Sequence, residues 1–565
     1  MAVTLVNTDN VDDSEDVNLQ LNVPVGITSA VVGGATYVFV TGSFDNGVSV
    51  FALDATGALT NVFNVDDSQD PNLRLANAHA PVVATVGGQT YLYVAGDTFG
   101  ISVFAVGNDG SLTNVDNVAD ASGALFFSLQ TLATATIGAD TILYAGGDSG
   151  GGDGGVTSFL VDPNTGALTF LDGLGSFSQG GIVQFDFVSG LHTASVGGTP
   201  FLFAVNNPYS LASVFDISNG IVESGRNTDN EIDGGELALS GLTAFATAAV
   251  GAKTFLFAAG AGDDGISVFE VSGAGVLTNV YNVTDDAALV LDGIQALATA
   301  NIAGTTYLFA TATLDNSVSV FAVAADGSLI NVANVIDSEA PELELDAPVA
   351  LTTSVAGGAT FVTVAGALDS GISTFRVDTT GLTINGTGGN DRIDALNSAP
   401  GQLLPSELGD VIRGFGGNDR IAGLGGDDLL LGGSGWDVLR GGDGDDVLTG
   451  GRGRDFHYGD AGADRFDFNS LGESGLGAAN RDRIRDFQRG QDDIDLIGID
   501  AKKGVAGNNA FDWIGKSDFH GVKGELRYED RGSTVIVQGD VDGDGRADFE
   551  IFVNVGSLSR GDFLL

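Results

Sequence analysis

The chain has 565 residues, with 86 Gly, no Cys, and 74 acidic against 23 basic side chains, a formal net charge of −51. That length predicts several domains or one large repeat array, and an apolar fraction of 43% with 34 Phe excludes wholesale disorder. A pI near 4.1 excludes nucleic acid as a partner, which needs basic patches, and the lack of Cys excludes disulfides and thiolate zinc sites. The opening, Met1 to Asn10, has neither the basic nor the apolar region of a signal peptide, and no run of 18 apolar residues predicts a membrane span. By itself this start predicts a cytoplasmic protein, an expectation that the C-terminal part reverses. Residues 1–380 hold 41 acids and only Arg74, Arg226, Lys253 and Arg376 as strong cations, a net of −37; residues 381–565 hold 33 acids and 19 cations. This step predicts a domain boundary near residue 380.

The first part is a repeat array. A small-residue turn followed by an apolar run recurs seven times, at Tyr37, Tyr91, Ile142, Phe201, Phe255, Tyr307 and Phe361. A second run trails each one, as GVSVFAL at 47–53 and GISVFAV at 100–106, and a third of the form G-x-L-T-N-V begins at Gly57, Gly110, Gly166, Gly275 and Gly327. Short β-branched and aromatic runs broken by Gly, Asp and Asn predict one four-stranded antiparallel sheet per repeat. The anchors are spaced 54, 51, 59, 54, 52 and 54 residues apart, a period too long for most solenoids that suits propeller blades. Residues 11–37 align with 335–361, so the array starts in mid-repeat. A strand near Val3–Val6 would complete the last blade, giving 28 strands in seven blades; Gly381–Ile384 competes for the same edge.

The blade pattern G-[IV]-S-V-F-x-V-x-x-x-G-x-L-T-N-V resembles the lactonase-type seven-bladed propellers, which include 6-phosphogluconolactonase-like proteins. The resemblance implies a polar, basic mouth for an anionic sugar lactone, yet the ring offers only His79, His192 and its four scattered cations. What it offers is carboxylate. Asp45, Asp97, Asp148, Asp153, Asp263, Asp264, Asp315 and Asp369 fall in loops between second and third strands. Asp12, Asp13, Glu15, Asp16, Asp66, Asp67, Asp70, Asp285, Asp286, Asp337 and Glu339 fall in loops joining blades, on the same face. Two readings stand: a solvated acidic surface, or divalent-cation binding and cation-bridged assembly.

From Gly414 the chain repeats every nine residues as G-G-x-G-x-D-x-U-x, with U a large apolar residue: GFGGNDRIA, GLGGDDLLL, GGSGWDVLR, GGDGDDVLT, GGRGRDFHY and GDAGADRFD. A degenerate unit precedes them at 408–413 and an isolated copy, GTGGNDRID, occupies 386–394. These resemble the repeats-in-toxin (RTX) nonapeptides, whose family fold is a parallel β-roll that binds Ca²⁺. The resemblance assigns metal ligation to Asp391, Asp410, Asp419, Asp428, Asp437, Asp446, Asp455 and Asp464. In such a roll two repeats complete one coil, so aspartates two repeats apart stack, and with glycine-turn carbonyls they supply the oxygen shell that Ca²⁺ prefers. The eighth residues, Ile421, Leu430, Leu439, Leu448 and Phe466, are expected inside. His457 breaks that pattern, and the roll is expected to fray or turn there.

The run 482–500 and the ending GDVDGDGRADFEIFV…SRGDFLL resemble the serralysin C-terminal cap. The serralysin catalytic part is missing: no H-E-x-x-H occurs, and His79, His192, His457 and His520 are too dispersed for a zinc site. Asp540, Asp542, Asp544 and Asp548 resemble the first half of an EF-hand loop, but Ile551 stands at its twelfth position, so a Ca²⁺ site and a plain acidic turn both remain open. In proteins sharing this cap the extreme C-terminus is an uncleaved signal for type I export from Gram-negative bacteria, and Asp562 to Leu565 fits it.

The expected protein is all-β: a seven-bladed β-propeller (1–380), a β-roll of nonapeptide repeats (385–467) and a β-rich cap with the export signal (468–565). The resemblance implies an extracellular or cell-surface location and several Ca²⁺ ions. The partners it implies are the type I secretion machinery, then a cell surface, a polysaccharide or further copies bridged by Ca²⁺, with no nucleic acid and no membrane insertion. Two functions stand: a non-enzymatic adhesin or surface-layer-like protein, and a secreted lactonase-type hydrolase using the propeller mouth.

Overall fold

The structure is a computed structural model that describes residues 3–13, 18–96, 100–119, 128–148, 155–175, 187–206, 210–222, 225–228, 237–285, 289–337 and 343–565, with only the main chain at 148, 174, 175 and 225–228. Glu15, Asp16, Asp97, Asp153, Asp286 and Glu339, and the side chain of Asp148, lie outside the described residues.

Residues 3–379 form seven four-stranded antiparallel sheets. The burial of each strand follows its place in the blade. The second and third strands, such as Ala35–Gly42 and Gly47–Leu53, are covered on both faces and read as unbroken apolar runs, while the fourth, Leu59–Asp66, alternates toward solvent. The hairpin between first and second strands turns on Gly33 and Gly34, both at positive φ (61° and 87°), which a two-residue type I′ connection requires at each position. The glycine opening each G-x-L-T-N-V run has a different reason to repeat. At Gly57, Gly110, Gly166, Gly275 and Gly327 a Cβ would strike the ring of Phe361, Tyr37, Tyr91, Phe201 and Phe255, the aromatic anchor of the preceding blade. Anchor and glycine are therefore one blade-to-blade contact, and the Tyr37 hydroxyl extends it by donating to the Asn108 carbonyl (2.8 Å).

The strand Val3–Asp12 pairs antiparallel with Gly371–Thr379, so the chain's start closes the seventh blade. Thr383–Asn385, the competing segment, instead pairs in parallel with Val411–Arg413 and begins a second architecture. There, parallel strands from alternate nonapeptides stack into two sheets, with Leu429–Gly435 against Val447–Gly453 on one side and Val438–Asp443 against Phe456–Ala461 on the other. Ile421, Leu430, Leu439, Leu448 and Phe466 are buried between them. The sheets run through residue 467 without a break. Asp493–Asp495 and Phe563–Leu564 extend one, and Asp482–Ile484 and Phe549–Val553 the other, so the roll and the cap share both sheets.

The roll does not fray at His457. That residue pairs with Leu439 on one side and Ile484 on the other and is fully buried. Its ring packs against Phe466 and Phe468, with Nε2 3.9 Å from Asp482, so an imidazole replaces an aliphatic side chain without interrupting the stack.

Propeller and roll share a core. One apolar cluster joins Val3, Phe309 and Val320 to Leu382, Ile384, Ile393 and Leu403. The segment between the isolated nonapeptide and the main run straps the two together: Glu407 N–H donates to the Ala303 carbonyl (2.8 Å), Gly401 N–H to Asp326 (2.8 Å), and Leu404 enters the core of the fifth and sixth blades.

Candidate metal centre

The first residue of each nonapeptide and the aspartate five positions later meet across a tight turn. At Gly414, Gly423, Gly432, Gly441, Gly450 and Gly459 a Cβ would collide with Oδ2 of Asp419, Asp428, Asp437, Asp446, Asp455 and Asp464 respectively, and at the first four of these also with the carbonyl oxygen of Gly432, Gly441, Gly450 or Gly459 on the next coil. Only glycine leaves this oxygen-lined space open.

The aspartates form two columns. In one, the N–H of Asp391 donates to Oδ1 of Asp419, Asp419 to Asp437, Asp437 to Asp455 and Asp455 to Asp482, each at 2.8 Å. In the other, Asp410 donates to Asp428, Asp428 to Asp446, Asp446 to Asp464 and Asp464 to Asp492, at 2.7 to 3.2 Å. One carboxylate oxygen of each is thus used to lock the coils in register. The other makes no hydrogen bond: Oδ2 of Asp419, Asp428, Asp437, Asp446, Asp455, Asp464 and Asp482 is buried, and only that of Asp482 faces a basic group, His457 Nε2 at 3.9 Å. Burial, with like charges up and down the column, pushes Asp428 and Asp455 up to about 8, Asp446 to about 7 and Asp437 and Asp464 to about 6.

The two outlying aspartates differ. Asp410 spends both oxygens on the N–H groups of Leu382 and Ser406 and on the Ser406 hydroxyl, anchoring the strap. Asp391 is partly exposed and accepts from Thr387. Asp482 and Asp492 are ladder members outside the nonapeptide run: they follow their predecessors Asp455 and Asp464 by 27 and 28 residues instead of 18. Their signal is the local triplet: Asp482-Arg-Ile484 and Asp492-Asp-Ile494 repeat the D-x-U of the nonapeptides, and both Ile residues are buried.

Unpaired buried carboxylates surrounded by carbonyl oxygens and closed to any side chain are what a hard cation with six to eight oxygen ligands requires, so the residues present fit Ca²⁺. In the cap, one oxygen each of Asp540, Asp542 and Asp548 lies within 4.8 Å of the others, and Asp544 stands outside the group. Asp540 already accepts from Gly543 and Gly545, and Asp548 from Val541.

In the propeller, Asp45, Asp263, Asp315 and Asp369 each accept, through Oδ2, the N–H of Asn22, Ser240, Asp292 and Asp346. The same brace recurs in four blades, so these carboxylates hold the loops that join blades. Burial and then Asp264, Asp315 and Asp285 raise Asp292, while burial, Asp369 and Asp346 raise Asp337.

The mouth of the ring encloses about 510 Å³ lined by Asn77, His79, Gln130, Thr131, Ser189 and Thr243 among others. His79 sits between the Asn77 and Leu129 carbonyls (2.6 and 2.7 Å). His192, deeper in the channel, is hydrogen-bonded to Thr247 (2.9 Å) and pushed down to about 4 by burial, so it is neutral at pH 7.

The comparisons with known proteins divide at the same boundary as the fold. Residues 381–565 match the family described as the peptidase M10 serralysin C-terminal region, so the RTX-type resemblance holds for that part of the chain. Among solved structures, a protein from Bacteroides fragilis assigned as a 6-phosphogluconolactonase is 18% identical, covering 58% of this chain and 86% of its own with a TM-score of 0.39. A protein of the same assignment from Bacteroides uniformis is 17% identical, covering 53% and 82% with a TM-score of 0.40. Likenesses at this level carry nothing about activity. No curated protein matches the chain.

The roll geometry sets two expected outcomes. Gly435 sits at φ 144°, and a Cβ there would overlap the Gly417 carbonyl of the adjacent coil. Gly435→Ala should destabilise the roll by about 3 kcal/mol or more, from backbone strain plus overpacking, measured as a shift in the urea midpoint followed by Trp emission. The second concerns pH without metal. Because the buried aspartates have folded-state values above the ordinary 3.8, the folded roll holds protons that the unfolded chain releases. Its metal-free stability is therefore greatest below about pH 4 and is lost as pH rises through 6 to 8. In chelator the thermal midpoint should be higher at pH 5 than at pH 8; the reverse order would contradict the ladder.

Proposed function

We propose that the chain is a secreted exoprotein whose roll folds around Ca²⁺ and whose propeller is a non-enzymatic binding module for a cell surface or matrix. The observation that carries the calcium reading is the run of buried Oδ2 atoms without hydrogen bonds. Asp419, Asp428, Asp437, Asp446, Asp455 and Asp464, with glycine carbonyls of adjacent coils, would hold the ions, and Asp482 would extend one column. Asp391 and Asp410 end the columns, and Asp540, Asp542 and Asp548 would take a further ion in the cap, with Asp544 at its edge. Bound Ca²⁺ supplies charge neutralisation here, and the buried carboxylates make folding depend on it.

Export by a type I route from a Gram-negative bacterium is supported by the match to the serralysin C-terminal region. The chain's end adds a physical point. Asp562 and Phe563 are buried, and Phe563–Leu564 is an edge strand with Phe563 packed on Trp513 (4.9 Å). A signal there would be readable only before the cap folds, which suits a chain that meets abundant calcium outside the cell.

A binding rather than hydrolytic propeller is supported by the mouth itself. Its described lining is amide, hydroxyl and apolar, and His79 is held by two main-chain carbonyls. Opening a lactone needs a base or activated water and a stabiliser for the oxyanion. The test has two arms. Calcium titration of the full chain should show saturable binding of several ions, weakened at least about tenfold per site by Asp437→Asn or Asp446→Asn. Neutral and acidic lactones should show no turnover; hydrolysis lost on changing His79 would establish the lactonase instead.

A further inference from the structure

The roll carries a cationic face that neither calcium nor the propeller explains. In parallel register across one sheet, the outward position reads Arg392, Arg420, Val438, Phe456, Arg483 and Phe552. Beside it run Ala422, Arg440, Tyr458 and Arg485. On the adjoining turn edge, Trp436 is 56% exposed and lies beneath Arg454, whose guanidinium carbon is 4.2 Å from the ring centroid. Arg454, Arg483 and Arg485 all stack over Phe456, at 5.4 to 5.9 Å, and Arg483 also over Phe552.

This cluster is anomalous in a chain of net charge −51. Arg481 pairs with Glu550 (2.8 Å), but Arg454, Arg483 and Arg485 make no ion pair among the described residues. Burial and the neighbouring Arg454, Arg485 and Arg481 lower the affinity of Arg483 for its proton, a sign of mutual repulsion. The rings hold the guanidinium groups in place; Arg483 spends one Nη on the Ala478 carbonyl (3.4 Å), while Nε of Arg454 and of Arg483 is buried without a hydrogen bond, leaving donors unused for the recognition of oxyanions. The strip from Trp436 to Phe552 crosses three strand spacings, roughly 14 Å.

Its borders decide the kind of anion. Asp460 pairs with Arg440, and Asp486 accepts from the N–H groups of Gly459 and Asp460 alongside. A broad anionic surface, whether a membrane or the −37 propeller of another copy, would press on these carboxylates as well as on the arginines. A single thin chain with spaced carboxylates would not.

We propose that this strip binds a linear acidic polysaccharide, with uronate carboxylates seated on Arg454, Arg483 and Arg485. The site is separate from the propeller, so a propeller without a ligand leaves it untouched. The test uses the full calcium-loaded chain and hyaluronan decasaccharide, followed by calorimetry and by the emission of Trp436, with neutral dextran as control. Saturable binding at low ionic strength is expected, lost in about 0.5 M NaCl and absent with dextran. It should weaken at least about tenfold in Arg454→Gln/Arg483→Gln, the loss of charge-assisted contacts, and comparably in Arg485→Glu, with calcium binding unchanged in both. No binding, or binding equal to the unaltered chain's in both variants, would overturn the proposal. So would arginine-dependent binding to phosphatidylglycerol vesicles, or arginine-dependent self-association, without binding to hyaluronan.

Discussion

Excess chelator at pH 7.5 is expected to unfold the roll and cap while the propeller keeps its sheets. Seven buried carboxylate oxygens of the columns make no hydrogen bond, and the groups at Asp428 and Asp455 are pushed up to about 8, so without a cation the roll must either bury poorly compensated charge or take up protons. Each ion held at about a thousand times its dissociation constant contributes about 4 kcal/mol. Removing two or three such ions would therefore consume the roughly 5–15 kcal/mol that stabilises an ordinary domain. The readout is selective, because both tryptophans, Trp436 and Trp513, lie in the roll and cap. Trp emission should shift to the red as calcium is withdrawn and recover on its return, while far-UV dichroism keeps the propeller's share. Since the strap and the common core tie Ile384, Ile393 and Leu403 to Phe309 and Val320, the propeller should also melt at a lower temperature in chelator than in calcium. Unchanged Trp emission in chelator would refute the calcium reading.

Deleting residues 3–12 is expected to open the ring. The strand they form supplies the fourth strand of the seventh blade, paired from Val3↔Thr379 to Asp12↔Gly371, and buries Val3 in the cluster shared with the roll. Its loss bares the edge of Gly371–Thr379, an aggregation hazard, and removes several interstrand hydrogen bonds worth about 1 kcal/mol each. A fall in the propeller's melting temperature of more than about 10 °C, with aggregation on heating, is the expected result. A deleted chain that melts with the full-length protein would mean that closure does not depend on this strand.

Much of this architecture was legible because repeats make each inference several times over. Seven evenly spaced apolar anchors, from Tyr37 to Phe361, could belong only to seven like sheets, and nonapeptides with an in-phase apolar residue could only coil. The pairs Asp419 with Asp437 and Asp428 with Asp446 followed from the coil of two repeats. Where the spacing changed, the ladder was hidden: Asp482 and Asp492 follow Asp455 and Asp464 by 27 and 28 residues instead of 18, although their D-x-I triplets are intact. His457 was expected to break the roll because a polar residue at an apolar position normally does. Phe466 and Phe468, one repeat further on, and Asp482, on the next coil, accommodate it.

The sequence by itself thus determined the blade count, the coil period and the stacking of the nonapeptide aspartates, since all of these are local periodicities of side-chain size and polarity. The tertiary structure alone decided what depends on contacts between distant segments. Closure of the ring by Val3–Asp12 rather than by Thr383–Asn385 was one such decision, because both segments have strand-forming composition and only the packing distinguishes them. The use of Asp45, Asp263, Asp315 and Asp369 as braces was another, because a carboxylate bonded to a backbone N–H reads in sequence like one in solvent. The last was the gathering of Arg454, Arg483 and Arg485 around Phe456, since parallel stacking brings segments far apart in the chain onto adjacent strands.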